Sequence, residues 1–163
     1  MLKQEIAEIV DISYKKLKNK NIDWVIVGTA SLALQGMDLR PADIDIFTTK
    51  NGAFEIFDAL KEYGVQEIGH SVGPAGTLYS WFGKLKINDL IVEINGDPES
   101  RSRDGGWIKS KALSRKGYIR INNHEIPILP IKAELEEVEN PEKLKREKDL
   151  RKIQLIKEYL NDN

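Results

Sequence analysis

Cysteine is missing from all 163 residues, so neither a disulfide framework nor a thiolate metal site is available. Histidine is nearly missing: His70 and His124 stand alone, in turn or loop contexts too far apart in pattern to suggest a metal pair. Neither sign of charge is in excess. Against 26 Asp and Glu there are 25 Lys and Arg, a net charge of -1, so nothing pulls the whole chain toward nucleic acid or membrane and any electrostatic site must be local. No apolar run approaches the ~20 residues of a membrane span. The opening MLKQEIAEIV is amphipathic and interrupted by charge, unlike a signal-peptide core. Repeats and low-complexity tracts are also lacking. These gaps lead us to expect a cytoplasmic protein of one domain, residues 1–163, with a sheet-bearing core over 1–130 and C-terminal helices over 131–163. An apolar fraction of 40% suffices for a hydrophobic core at this length.

The chain is organised around WVIVGTASLALQGMDLRPADIDIFT, residues 24–48. Trp24 to Val27 are all apolar, as in a strand covered on both faces. Gly28 allows a sharp turn, after which Thr29 and Ser31 can cap a helix over Ala30–Gln35. Asp43 and Asp45 lie two apart within the apolar setting of Ile44, Ile46 and Phe47, and on a strand that spacing sends both carboxylates to one face. Two such carboxylates repel one another and resist desolvation unless a cation neutralises them. The pair asks for a metal.

Around this stretch the pattern predicts a helix over 2–19, another from Asn51-Gly52 to about Tyr63 with Gly64 as its C-cap, and a short strand within 65–71 before a loop at GPAG. Two hairpins follow. One joins LYSWFGKLKI to LIVEING through Asn88-Asp89, and the other joins Tyr118–Ile121 to Glu125–Ile128 through Asn122-Asn123. Residues 96–106, GDPESRSRDGG, read as a mobile surface loop. Ile131–Glu139 reads as an acidic helix, and Asn140-Pro141 as the start of a final helix to about Leu160.

Val27, Gly28 and Thr29, then thirteen residues, then Asp43-Ile44-Asp45, then Glu93 on a later strand resemble the nucleotidyltransferase superfamily. This is the fold of the catalytic region of DNA polymerase beta, here in its small stand-alone prokaryotic form. GTASLALQG, ADIDI and VEINGD before a polar loop and Trp107 carry the resemblance further. Thr29 stands where Ser or Gly is usual, and Glu93 where Asp is more frequent. The resemblance implies an α/β (α+β) fold: a mixed twisted sheet with helices packed mainly on one side, followed by C-terminal helices.

It also implies a Mg²⁺- (or Mn²⁺-) dependent transfer of a nucleoside monophosphate from a nucleoside triphosphate to an acceptor hydroxyl, with pyrophosphate released. The Gly28–Ala30 amides with the Thr29 and Ser31 hydroxyls would cradle the triphosphate. Asp43 and Asp45 would hold metal, and Glu93 would share a second ion or act as base directly. Asp97 is the next acid along should Glu93 prove structural. The alternative is a non-enzymatic nucleotide- or protein-binding domain of the same fold, such as an antitoxin-type partner. An open cleft at the three acids favours the enzyme, and one filled by the chain's own side chains favours the alternative. Other chemistry-bearing residues read more plainly. Arg40 suits an exposed loop, Lys145, Lys148, Arg151 and Lys152 a solvated face, and Trp81, Phe82 and Trp107 mostly core packing.

Overall fold

A computed structural model describes residues 3–73 and 76–163; the first residue of the expected opening helix and the middle of the GPAG loop lie outside them. Helix α1 (Lys3–Leu17) leads into β1 (Trp24–Val27), α2 (Gly28–Leu34), β2 (Asp43–Thr48) and α3 (Lys50–Ala59). A 3-10 turn at Lys61–Tyr63 precedes β3 (Gly64–Val72), β4 (Leu78–Ile87), β5 (Leu90–Arg101) and the short β6 (Trp107–Lys109). A second 3-10 turn, Ala112–Arg115, comes before β7 (Gly117–Ile121), β8 (His124–Ile128), α4 (Ile131–Glu139) and α5 (Glu147–Asp162). The strands form one mixed sheet in the order β3-β4-β5-β2-β1-β8-β7, with β6 on the outer part of β5. β2 runs parallel to β5 and antiparallel to β1.

The alternation of β2 and β5 sorts the sheet into two faces. Ile44, Ile46, Val92 and Ile94 are buried with Ile9 of α1, Ala33 of α2 and Ile56 of α3 in the main core. On the opposite face a smaller apolar cluster lies over β1 and β8, where Val25, Val27 and Leu129 pack with Ala112 of the second 3-10 turn and Ala133 of α4, and Phe47 of β2 borders it. Over β2, β5 and β4 it borders a cleft. Both hairpins turn as their sequences predict. Asn88 and Asp89 (φ 51 and 63°), and Asn122 and Asn123 (φ 49 and 66°), take the positive φ at both central positions that a type I′ turn requires.

Four local expectations are corrected. Helix α2 begins at Gly28 rather than Ala30, without a side-chain cap from its own sequence. Gly64 is extended (φ -62, ψ 132°) and begins β3 rather than capping α3 in the left-handed region. Residues 96–101 are strand, not loop, because β5 gains partners along both edges: Tyr79 of β4 pairs with Glu99, and Lys109 of β6 pairs with Glu99 from the other side. The last helix starts at Glu147, not at Asn140. Backbone bonds from Leu144 N–H to the Arg101 carbonyl and from Arg103 N–H to the Glu142 carbonyl tie 140–146 to the end of β5, and a segment tied this way cannot also coil.

Candidate active site

Asp45 lies in register with Glu93 on β5 and with Val27 on β1. Because side chains alternate across a strand, Asp43, Asp45 and Glu93 all project from the face that borders the cleft. Their ligand oxygens lie within 4.8 Å of one another. Burial, with Asp43 and Glu93 close beside it, pushes the Asp45 carboxyl well above the usual carboxylate range, against a smaller opposing pull from Lys152. Lys84, opposite Glu93 on β4, approaches its Oε1 to 4.0 Å. Three converging acids whose mutual repulsion is only partly relieved by lysines fit a hard divalent cation, which takes carboxylate oxygens.

Gly28 sits against this cluster. Its φ of +73° is one that L residues avoid, and a Cβ there would come 3.3 Å from Asp45 Oδ2. The Gly28 N–H donates to Glu134 Oε1 at 2.5 Å, so the cap of α2 comes from a residue more than a hundred positions away. Glu134 is buried in α4, and its other oxygen accepts from Lys152 Nζ at 3.2 Å.

The three acids open onto a cleft of about 690 Å³. One wall is the sheet, with Phe47, Phe82 and Asn95; the other is formed by 143–146 and the start of α5, with Lys148, Asp149 and Lys152. The acids of that second wall are paired: Glu137 with Lys143, Asp149 with Arg146, and Glu134 with Lys152.

Of the six residues singled out in the sequence, the structure brings Asp43, Asp45, Glu93 and Gly28 together. Thr29 is half-buried one step along α2, outside the cleft lining. Ser31 is a correction. It is fully buried, its hydroxyl donates to the Leu129 carbonyl at 2.9 Å and accepts from Gln35 Nε2 at 3.0 Å, so it fastens α2 to the end of β8. Asp97 and Arg40 are exposed and outside the cleft. The basic run divides: Lys145, Lys148 and Lys152 line the cleft, whereas Arg151 is exposed outside it. Trp81 stacks on His70 with centroids 4.3 Å apart, and Trp107 packs near Tyr79 at 5.4 Å; both lie outside the cleft, and only Phe82 of the three aromatics lines it.

Sequence reasoning passed over Glu134 and Asn95. Asn95 was within reach, since two residues beyond Glu93 on a strand means the same face. Glu134 was not, because one acid among five charges in KAELEEVE carries no mark of burial.

The mixed sheet, the acidic strand and the C-terminal helices define a protein of nucleotidyltransferase fold. The chain belongs to the aminoglycoside-2''-adenylyltransferase family, whose profile matches residues 8–150. No curated protein matches it. Among solved structures it is similar to a Thermotoga maritima protein described as a nucleotidyltransferase, at 29% identity and a TM-score of 0.77, covering 100% of this chain and 97% of that one. It is similar in fold to the lincosamide antibiotic adenylyltransferase LnuA in its lincomycin-bound form (16% identity, TM-score 0.54, 94% and 95% covered). It is also similar in fold to ANT(2")-Ia in complex with adenylyl-2"-tobramycin (10% identity, TM-score 0.58, 94% and 88% covered).

Proposed function

We propose that the protein transfers a nucleoside monophosphate, adenylate in the first instance, from a nucleoside triphosphate to a hydroxyl of a small acceptor molecule, releasing pyrophosphate in the cytoplasm. The observation that carries this reading is the convergence of Asp43, Asp45 and Glu93 within 4.8 Å on the face of the sheet that opens to the cleft. The family's description and the antibiotic adenylyltransferases of the same fold support adenylate as the group moved and a small hydroxyl compound as its acceptor. The open cleft favours catalysis over the binding-only alternative.

Asp43 and Asp45 would hold Mg²⁺ (or Mn²⁺), with Glu93 completing the set. A bound divalent ion supplies neutralisation of triphosphate charge and acidification of a coordinated hydroxyl. Glu93 would take the proton of the attacking hydroxyl as the new oxygen–phosphorus bond forms and the bond to the pyrophosphate oxygen breaks. Gly28 leaves room for phosphate beside Asp45, with Thr29 at the same turn. Lys152, which lines the cleft with its side chain partly exposed, would pass from Glu134 to a phosphate oxygen. Glu134 meanwhile holds the Gly28 turn until phosphate arrives.

The test is thermal melting with each nucleoside triphosphate, with Mg²⁺ or Mn²⁺ and without. A ligand of the native state raises the melting temperature by mass action. A rise with ATP that requires the metal and disappears in Asp45→Asn is expected. A wild type indifferent to every nucleotide–metal pair sinks the reading.

A further inference from the structure

We infer that Asn95 and Ser80, between Phe47 and Phe82, form the acceptor's subsite, built for a flat, uncharged group that presents a hydrogen-bond-accepting oxygen. This rests on the nucleotidyl-transfer reading above and specifies the side of the cleft that the acceptor occupies.

Asn95 is 1% exposed and lines the cleft. Its Oδ1 accepts from the Ser80 hydroxyl at 3.1 Å, and its Nδ2 is a buried donor with no hydrogen-bond partner among the described residues. A buried donor left unmade destabilises a fold, and completion by a bound group is one of the few reasons such a donor persists. Oδ1 already accepts from Ser80 and the N–H is the group left unmatched, so the complementary ligand atom is an oxygen with a free lone pair. Asn95 is in register with Phe82 on one side and Phe47 on the other. At ~4.8 Å per strand the two phenylalanines stand about 10 Å apart across the sheet, bordering the space over Asn95 with a ring on either side. The acids of the facing wall are already paired with lysine or arginine, so a neutral group fits this cleft better than a polycation.

Topology makes this the acceptor's side. Gly28 follows β1 and Asn95 lies on β5, so the two are on opposite sides of β2 and its acids. In-line displacement at phosphorus puts the attacking oxygen opposite the leaving group. Pyrophosphate held at Gly28 therefore leaves the β5 side for the acceptor. Asn95 is two residues from Glu93, about 6.6 Å along the strand. A small molecule can span that distance, with its hydroxyl at Glu93 and its oxygen on Asn95.

The test uses the full chain, ¹⁵N-labelled, with Mg²⁺ and a non-hydrolysable ATP analogue, and acetophenone as probe, since it joins a flat ring to an accepting oxygen. Ethylbenzene, nearly the same shape without the oxygen, is the control. Acetophenone should move the Asn95 side-chain amide signals saturably, equally well with the analogue bound, and bind about tenfold more tightly than ethylbenzene, the worth of one hydrogen bond. Asn95→Leu should erase that preference and keep analogue binding, and combining it with Ser80→Ala, so that the Ser80 hydroxyl is not orphaned in turn, should recover any stability lost. Asn95→Asp, which keeps the size, should erase it as well should the leucine variant fail to fold. No saturable shift, mutual exclusion with the analogue, or a preference that survives Asn95→Asp overturns the subsite while leaving the transfer reading intact. An analogue that does not bind the wild type removes the transfer reading, and the acceptor assignment falls with it.

Discussion

Residues 44, 46, 92 and 94 alternate with residues 43, 45, 93 and 95 along the same two strands, yet the two sets live in different chemical worlds. The even-numbered set is sealed beneath α1, α2 and α3. The odd-numbered set carries three acids and a buried amide along the cleft. Ile46 contributes stability and Asp45, its neighbour, detracts from it in the absence of a cation, because burial and two nearby carboxylates oppose its ionisation. A sheet covered by helices on one face leaves the other free for groups that no core would tolerate. The incomplete cover of that second face, where α4 and α5 border a cleft, is thus as much a condition of the site as the acids are.

Asp45→Asn should break the comparison most visibly. Transfer should fall by roughly a thousandfold, about 4 kcal/mol, the scale of losing a metal's charge stabilisation, while the metal-free protein melts at or above wild type. The pH dependence has a definite sign. Asp45 has its folded pKa raised, so its contribution is fully present below the ordinary carboxylate range and is lost as pH rises through the raised value. Without metal, the margin of the variant over wild type should be widest above that value and close as the solution is acidified. Melting curves over a pH series, with chelator present, check it. A variant less stable than wild type throughout would mean that Asp45 is paired rather than crowded.

Ile46→Ala, one residue along, should do the reverse. The side chain is 2% exposed, and deleting it should cost about 2–5 kcal/mol of stability, read from denaturant unfolding, with metal-dependent nucleotide binding retained in the protein that remains folded. A smaller but mixed effect is expected at Gly28. Gly28→Ala places an L residue at φ +73° beside Asp45, about 1–2 kcal/mol of strain. It should also blunt the melting shift given by ATP and metal, since relief requires Asp45 to move. Strain without that blunting would place the phosphates elsewhere.

How much of this was legible follows from which forces are local. The parity of Asp43 and Asp45 and both Asn-containing hairpins are matters of backbone geometry within a few residues, and the structure follows them. The apolar 24–27 run and the acidic helix 131–139 were likewise readable from pattern. What escaped depends on distant partners. Residues 96–101 are rich in turn formers, but β4 and β6 recruit them into β5. Asn140-Pro141 looks like a helix start until the Arg101 carbonyl claims Leu144. Ser31 looks like a cap until Leu129 takes its hydroxyl. Glu134 became part of the site only because α4 folds back onto Gly28.

The finest comparison sets Asp149 against Asp45, two aspartates lining one cleft with opposite electrostatics. Asp149 caps the start of α5, accepting from the Arg146 backbone N–H at 2.8 Å and from its guanidinium at 3.0 Å. Burial works to raise its pKa, but the hydrogen bonds and charge of Arg146, aided by Lys152, outweigh it and hold the carboxyl below the usual range. The sign is therefore reversed: a depressed folded pKa gives stability that is present above the ordinary carboxylate range and lost as pH falls through the folded value. Asp149→Ala should cost about 1 kcal/mol at neutral pH, as losing a helix cap does, or about 2–4 °C in melting temperature for a chain of this size. On acidification its deficit should shrink because wild type loses the capping bond, whereas the Asp45→Asn margin shrinks because wild type is relieved of a charge. Melting both variants in one pH series separates the cases. Two gaps that closed with the same sign would show that Asp45 and Asp149 answer to the same field, and the division of the cleft into an acidic floor and a paired wall would not hold.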